Sequence, residues 1–231
     1  MENICEFKYK NKDIIFNYIN GDWISRWWIK KNFYELKLLE KINSLNLKGL
    51  YVDAGAHFGN HSVYFSKFCN STKVVSIEGS ELNYKYLQKN KNANNCINIE
   101  AHNKIVGDED DIKYKMTGPY LKNTGVSRVL NSDEAKSCSK KNPENISVRL
   151  DTLLKDEENV VLIKFDIELF EYKGLLGCEK TIEKFKPVIV IENHEENKDY
   201  HNILLFLDKY DYSSDDLNYA HSTKIYIHNK K

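Results

Sequence analysis

Five side chains in two short segments have the types and spacing for proton-transfer chemistry. Lys164, Asp166 and Glu168 lie in LIKFDIELFE, and Glu192 and His194 in VIVIENH, each segment an apolar run that ends in acids. A hydroxyl proton departs to a carboxylate or an imidazole within hydrogen-bond reach, so Asp166 is the first candidate for a general base or a cofactor-adjacent acid. His194 is the second, because an imidazole changes charge near neutral pH. Lys164 and Asp166 fall on one side of a strand by its period of two, so an ion pair closing the sheet end accounts for Lys164 as well as catalysis does. Glu171 fits electrostatic or capping contacts at a helix N-terminus. Acids at strand tips together with His194 could surround a divalent cation, but they do not require one, and no metal site is assigned.

The segment YVDAGAHFGNHSVYF, residues 51–65, supplies a second kind of chemistry. A dinucleotide loop needs G-x-G-x-x-G so that backbone can close on a pyrophosphate. Here the glycines are Gly55 and Gly59, and His57 stands where the middle glycine would be, crowding a pyrophosphate. S-adenosylmethionine has no pyrophosphate and tolerates side chains along the loop, so the sequence favours that cofactor. Gly55 would let backbone pass beneath the ligand, Gly59 would let the following helix approach closely, and Asp53 could meet the cofactor amine directly or through water. The next apolar run, Val74 to Ile77, ends in Glu78, placed to accept hydrogen bonds from both ribose hydroxyls.

These residues need a rigid frame. From residue 50 onward, strand-length apolar runs (Leu50–Ala54, Lys73–Glu78, Cys96–Ile105, Val160–Asp166, Pro187–Glu192) alternate with segments of helical period. The helical segments are Asn60–Phe68, Glu81–Lys89, and those after Asp166 and His194. That alternation predicts an α/β, Rossmann-like, doubly wound sheet of seven mostly parallel strands. An antiparallel edge closes it from Tyr210 to His228. Residues 107–145 turn polar, with Gly118-Pro119, Gly125 and Asn142-Pro143 as turn signals, and are expected to form an inserted hairpin or lid suited to acceptor recognition. Residues 1–48 are expected to cap the domain of residues 49–231, with a strand or hairpin at Asp13–Ile19 and a helix carrying Phe33, Leu36, Leu39 and Ile42. Trp23, Trp27 and Trp28 fit core packing better than sugar stacking. His61 could face the cofactor mouth, and Tyr64 is expected to pack.

Composition narrows the partners. Lysine plus arginine equals aspartate plus glutamate, 34 against 34, so no global field recruits nucleic acid or anionic membrane. No apolar stretch approaches a signal peptide or a membrane helix, and the five cysteines are scattered, which together suggest a soluble protein with free thiols in a reducing cytoplasm.

The motifs resemble those of the FkbM-like methyltransferases, within the class I S-adenosylmethionine-dependent group, over roughly residues 35–195. VDAGAHFGNHSVYF is similar to that family's cofactor loop, SIEGSELNYKYLQKN to its second-strand motif with Asn83, Leu87 and Asn90 in place, and RLDTLL to the segment before its fourth strand. Most specific is the pattern filled by Lys164, Asp166, Glu168, Glu171, Pro187 and Glu192. Leu169 departs from it, since glycine is usual there, and so does His57, where asparagine is common. The resemblance implies an O-methyltransferase acting on a hydroxyl of a small-molecule or glycan acceptor, most plausibly a sugar in glycan or polysaccharide biosynthesis, with S-adenosylhomocysteine as product. The cofactor set it implies is Asp53, Gly55, His57, Phe58, Gly59, Asn60, His61, Glu78, Gly79, Ser80, Asn83, Asn103 and Asp166. The catalytic set is Asp166, His194, Glu168, Lys164 and Glu192. Alternatives are a cap-type ribose methyltransferase, for which a lysine pair cannot be placed, and a noncatalytic binding subunit. Exposed tryptophans near the N-terminus could support a homodimer.

Overall fold

A computed structural model describes residues 2–117, 123–139, 141–215, 217, 219–220 and 222–230. The Gly118-Pro119 turn signal lies outside the described residues. In chain order the elements are β1 (Glu2–Tyr9), β2 (Lys12–Ile19), α1 (Ser25–Ile29), α2 (Leu36–Ser44), β3 (Gly49–Ala54), α3 (Asn60–Phe68), β4 (Ser71–Ile77), α4 (Glu81–Ala93) and β5 (Ile99–His102). Then follow β6 (Ile105–Val106), β7 (Lys113–Lys115), a 3₁₀ turn at Thr124–Val126, α5 (Ser132–Ser137), β8 (Glu144–Val148) and α6 (Leu150–Leu153). The chain closes with β9 (Val160–Phe165), α7 (Glu171–Leu176), α8 (Glu179–Phe185), β10 (Val188–Glu192), α9 (Tyr200–Lys209), β11 (Tyr212–Ser214) and β12 (Thr223–His228).

Seven strands form one sheet in the order β11-β12-β10-β9-β3-β4-β5. β10, β9, β3, β4 and β5 run parallel. The antiparallel strand is β12, which pairs with both β10 and β11, so it lies one place inside the edge rather than at it. Both faces of the sheet are covered, which is why its strands read as unbroken apolar runs. Alternate residues of one strand enter two different cores: Tyr51 and Leu162 join one, Leu50, Val52 and Ile163 the other.

The first of those cores is shared with the N-terminal segment. Trp28 is fully buried and stacks on Phe16 at 4.2 Å between ring centroids, while Phe33 meets Phe7, Tyr9 and Tyr64 edge to face. The hairpin β1–β2 needs a partner for its open edge, and α4 with its C-cap residue provides it through asparagine side chains. Asn90 accepts from the Asn17 N–H at 2.6 Å, and Asn94 donates to the Ile15 carbonyl at 2.6 Å. Asn90 also donates to the Phe58 carbonyl at 2.8 Å, so one side chain ties the hairpin to the glycine loop. The predicted N-terminal helix begins only at Leu36, because Glu35 takes a left-handed conformation (φ 54°) that leaves Phe33 outside it.

The apolar run predicted as one strand at Cys96–Ile105 breaks into β5 and β6. β6 leaves the large sheet and joins β8 and β7 in a small three-stranded sheet, the frame of the insertion. No helix among the described residues is long and apolar enough to cross a membrane.

Candidate active site

At the carboxyl ends of β3, β4, β9 and β10 the sheet opens into a cavity of about 330 Å³. Its wall includes Gly55, His57, Glu78, Gly79, Asn83, Asp166, Glu168, Glu192 and His194, nine of the residues singled out from sequence. At one end Glu78 is buried in a fixed pose: one carboxylate oxygen accepts the His57 N–H at 2.7 Å and the other the Ser80 N–H at 2.8 Å. Oε2 keeps a lone pair for a further donor, and the second lone pair of Oε1 meets only a long approach from Asn83 Nδ2 at 3.5 Å. Burial pushes this carboxyl up to about 7 despite those donors. Beside it Ile105, Val106, Met116 and Phe170 form an apolar slot. A Cβ on Gly79 would come within 3.1 Å of Ile105 and Met116, so a side chain there would fill the slot.

The two glycines act differently from expectation in detail. Gly55 (φ +80°) lies directly against the neighbouring strand end, where a Cβ would sit 1.7 Å from the Asp166 carbonyl oxygen. Gly59 (φ +92°) caps α3 and does allow close approach, but to α4: a Cβ would sit 2.8 Å from Leu87.

Several residues expected at the cofactor do not line the cavity. Asp53 is fully buried, accepts a hydrogen bond from Ser62 at 2.5 Å and lies 3.4 Å from the Lys164 ammonium, its register partner on β9. It therefore serves the sheet end, not a ligand amine. Phe58 is sandwiched between the rings of His57 and Tyr86, and Asn60 accepts from the Trp28 indole at 2.9 Å; both belong to the shared core. His61 bonds Glu35 at 3.0 Å in a nearly closed pair instead of facing the cavity. Ser80 caps α4, and Asn103 donates to the carbonyls of Glu78 and Gly79 at 2.7 and 3.3 Å, so these two shape the Glu78 turn from behind.

At the other end the acids converge. Asp166, Glu168 and Glu192 each bring a carboxylate oxygen within 4.8 Å of the others, close enough to share a cation. Lys164, buried, contacts Asp166 at 3.1 Å, the ion pair that the strand period allows. Burial works against the charge on Asp166, but the Lys164 ammonium holds its carboxyl below the usual range. Burial, and then the charge of Asp166, push Glu192 up to about 10 and Glu168 up to about 8. The negative charge of the cluster is thus favoured on Asp166, beside the ammonium, and its neighbours are driven toward their protonated forms. Glu192 accepts or donates at 3.0 Å to His194 Nε2. Glu171, as expected, stays out of the cavity and accepts the Ile167 N–H at the start of α7. The backbone between is unusual: Glu168 (φ 54°) and Leu169 (φ 69°) are both left-handed, which places the Glu168 side chain in the wall and explains why a glycine suits position 169.

Sequence patterns missed the remaining walls. Trp23, Tyr34 and Glu35 come from the N-terminal segment, with Trp23 39% exposed at the rim while Trp28 fills core. Gly125 to Val129 come from the insertion, where the Arg128 guanidinium is forked onto Glu134 at 2.6 and 2.8 Å. The polarity of residues 107–145 flagged the insertion but no spacing marked these positions.

The profile of the Methyltransferase FkbM domain matches residues 53–214. Among solved structures, the fold is similar to the methyltransferase FkbM from Methylobacillus flagellatus KT, with 19% identity and a TM-score of 0.54 over 79% of this chain and 44% of that one. It is also similar to a methyltransferase from Geobacter sulfurreducens, with 12% identity and a TM-score of 0.50 over 84% of this chain and 78% of that one. The chain thus spans less than half the length of the first of these. No curated protein matches it. With the glycine loop, the acid at the end of β4 and the acidic tips of β9 and β10 gathered around one cavity, the chain belongs to the FkbM-like family of class I S-adenosylmethionine-dependent methyltransferases.

Proposed function

We propose that the protein transfers a methyl group to a hydroxyl of a small polyhydroxy acceptor, a sugar first among them. The carrying observation is that one cavity joins the Glu78 end to the Asp166–Glu192 end. S-adenosylmethionine suits the first end: the Glu78 carboxylate can accept from ribose hydroxyls, the apolar slot suits adenine, and His57 and Asn83 each leave a buried polar atom with no partner among the described residues in the same wall. Bound there, the cofactor supplies a methyl group on a positively charged sulfur, open to in-line attack.

The residues at the second end handle the acceptor. Transfer requires the hydroxyl oxygen to lie in line with the methyl carbon and to lose its proton. Asp166 is ionised and can accept that proton, whereas Glu168 and Glu192 already carry one and are better placed to donate hydrogen bonds to neighbouring hydroxyls. His194, bonded to Glu192, offers the second route for the proton toward solvent.

The test is calorimetric titration with S-adenosylmethionine, S-adenosylhomocysteine and NAD, followed by labelled-methyl transfer to panels of sugars and sugar nucleotides. Micromolar binding of the two sulfur ligands but not NAD, lost in Glu78→Ala, supports the cofactor end. Asp166→Asn should cut kcat by about 100-fold or more while leaving cofactor affinity within a few-fold. Labelling of RNA but of no sugar would sink the acceptor assignment.

A further inference from the structure

His57 Nδ1 and Asn83 Oδ1 are buried in the cofactor end of the cavity with no hydrogen-bond partner among the described residues. Both residues spend their other polar atom on one threonine of the insertion. His57 Nε2 lies 2.5 Å from the Thr124 hydroxyl oxygen, and Asn83 Nδ2 donates to the Thr124 carbonyl at 3.0 Å. Thr124 is itself buried and is held from the far side by Asp22. Its N–H and its hydroxyl both donate to Asp22 Oδ1, at 3.0 and 2.8 Å, while Asp22 Oδ2 accepts the N–H groups of Ile24 and Ser25 at 3.1 and 3.2 Å. Three regions distant in sequence therefore meet at one side chain: the N-terminal segment, the insertion and the glycine loop.

Proton counting fixes the direction of every bond. A threonine hydroxyl has one hydrogen, and here it goes to a carboxylate that can only accept. Thr124 Oγ1 must therefore accept from His57 Nε2, which puts the ring's proton on Nε2 and leaves Nδ1 bare. Burial keeps the imidazole neutral by drawing its pKa down to about 4. Asn83 obeys the same logic: Nδ2 faces the Thr124 carbonyl and, at 3.5 Å, the Glu78 carboxylate, both acceptors, so the amide must place its NH₂ there and leave Oδ1 as acceptor. Both orphaned atoms are acceptors, next to a carboxylate that is a third.

We propose that Thr124 and Asp22 are positioning residues for the cofactor: they set the tautomer of His57 and the amide orientation of Asn83, so that these two side chains present acceptors to a ligand beside Glu78. Such a wall selects a ligand rich in donors, as the ribose hydroxyls and the ammonium group of S-adenosylmethionine are. A buried acceptor left unmet is costly, so a ligand donor that reaches one is bound more tightly, by about tenfold or more. The proposal rests on the cofactor assignment above and adds to it two residues, one of them outside the matched family region.

Nitrogen NMR of histidine-labelled protein and calorimetry with S-adenosylhomocysteine test it together, on wild type, Thr124→Val and Thr124→Ser, with thermal melts to report folding. Wild type should show His57 as the Nε2–H tautomer. Thr124→Val, which keeps shape but loses the hydroxyl, should show a mixed tautomer and bind at least tenfold more weakly; Thr124→Ser should restore both. A wild-type Nδ1–H tautomer overturns the proposal whatever the variants do. Thr124→Val binding like wild type, while Glu78→Ala does not bind, overturns it and leaves the cofactor assignment standing. Equal weakening in the valine and serine variants also overturns it, since the hydroxyl is then irrelevant. Failure of the wild type to bind removes the cofactor assignment and the proposal with it.

Discussion

Burial raises the Glu78 carboxyl to about 7, yet the form that accepts two ribose hydroxyls is the ionised one. Below that pH the proton must leave before the ligand can bind. Cofactor affinity should therefore weaken by up to about tenfold per unit of acidification below pH 7 and level off above it. Calorimetry in buffers of different ionisation heat would count the proton released; affinity that stays flat from about pH 6 to 8 would remove Glu78 as the ribose acceptor. A second residue carries strain instead of charge. Leu169 sits at φ 69° and is 48% exposed, so glycine there loses little burial and relieves a conformation that costs a residue with a side chain about 1–2 kcal/mol. After the entropy cost of glycine, Leu169→Gly should stabilise the fold by roughly 0.5–1 kcal/mol, visible as a rise in Tm. A fall in Tm would show that the leucine side chain contributes more than its backbone costs.

Among the elements, β3 and β9 are held to the closest tolerance, because their ends nearly touch at Gly55. Gly55→Ala would set a methyl group 1.7 Å from the Asp166 carbonyl at a positive φ, and the two strand ends could not stay in register. The loss should exceed about 3 kcal/mol and show as a collapsed melting transition; a melt like wild type would mean the strand ends can part without cost. The central strands were legible as unbroken apolar runs of strand length, since both their faces are buried, and α3 as a longer segment that follows a glycine turn. β6 and β7 were not, since two or three residues carry no period, and the break after β5 falls inside one apolar run. The acids of the site were legible because they end apolar runs. Asp53, Phe58 and Asn60 were assigned to the ligand by their place in the loop motif, whereas which way a loop side chain turns depends on partners such as Lys164, Tyr86 and Trp28 that lie far along the chain. Nothing local could pair Asp22 with Thr124 across 102 residues.

For the molecule as a whole, the titrating groups around the cavity set the dependence of stability on pH. Glu78, Glu168, Glu171 and Glu192 are all raised, to about 7, 8, 7 and 10, with burial the largest cause in each case. Between the ordinary carboxyl pKa near 4.5 and those values the folded chain holds protons that the unfolded chain has lost. Stability therefore falls as pH rises through this window. His57 acts in the opposite sense, lowered to about 4, so that it adds stability as pH rises from about 4 to 6.5. Four carboxyls outweigh one imidazole, and the Tm of the ligand-free protein should fall from about pH 5.5 to 9, by roughly a few degrees per unit. Asp166, lowered by Lys164, adds stability only above acid pH and is already ionised across this range, so it does not change the slope. Glu192 titrates furthest from its unfolded value, and Glu192→Gln, which keeps the hydrogen-bonding shape without the proton, should flatten the curve above pH 7 more than any change at Glu78. A Tm that rises steadily from pH 5.5 to 9 would mean that the acidic end of the cavity is fully ionised at neutral pH. In that case Asp166 would no longer be distinguished from its neighbours as the group able to take the acceptor's proton.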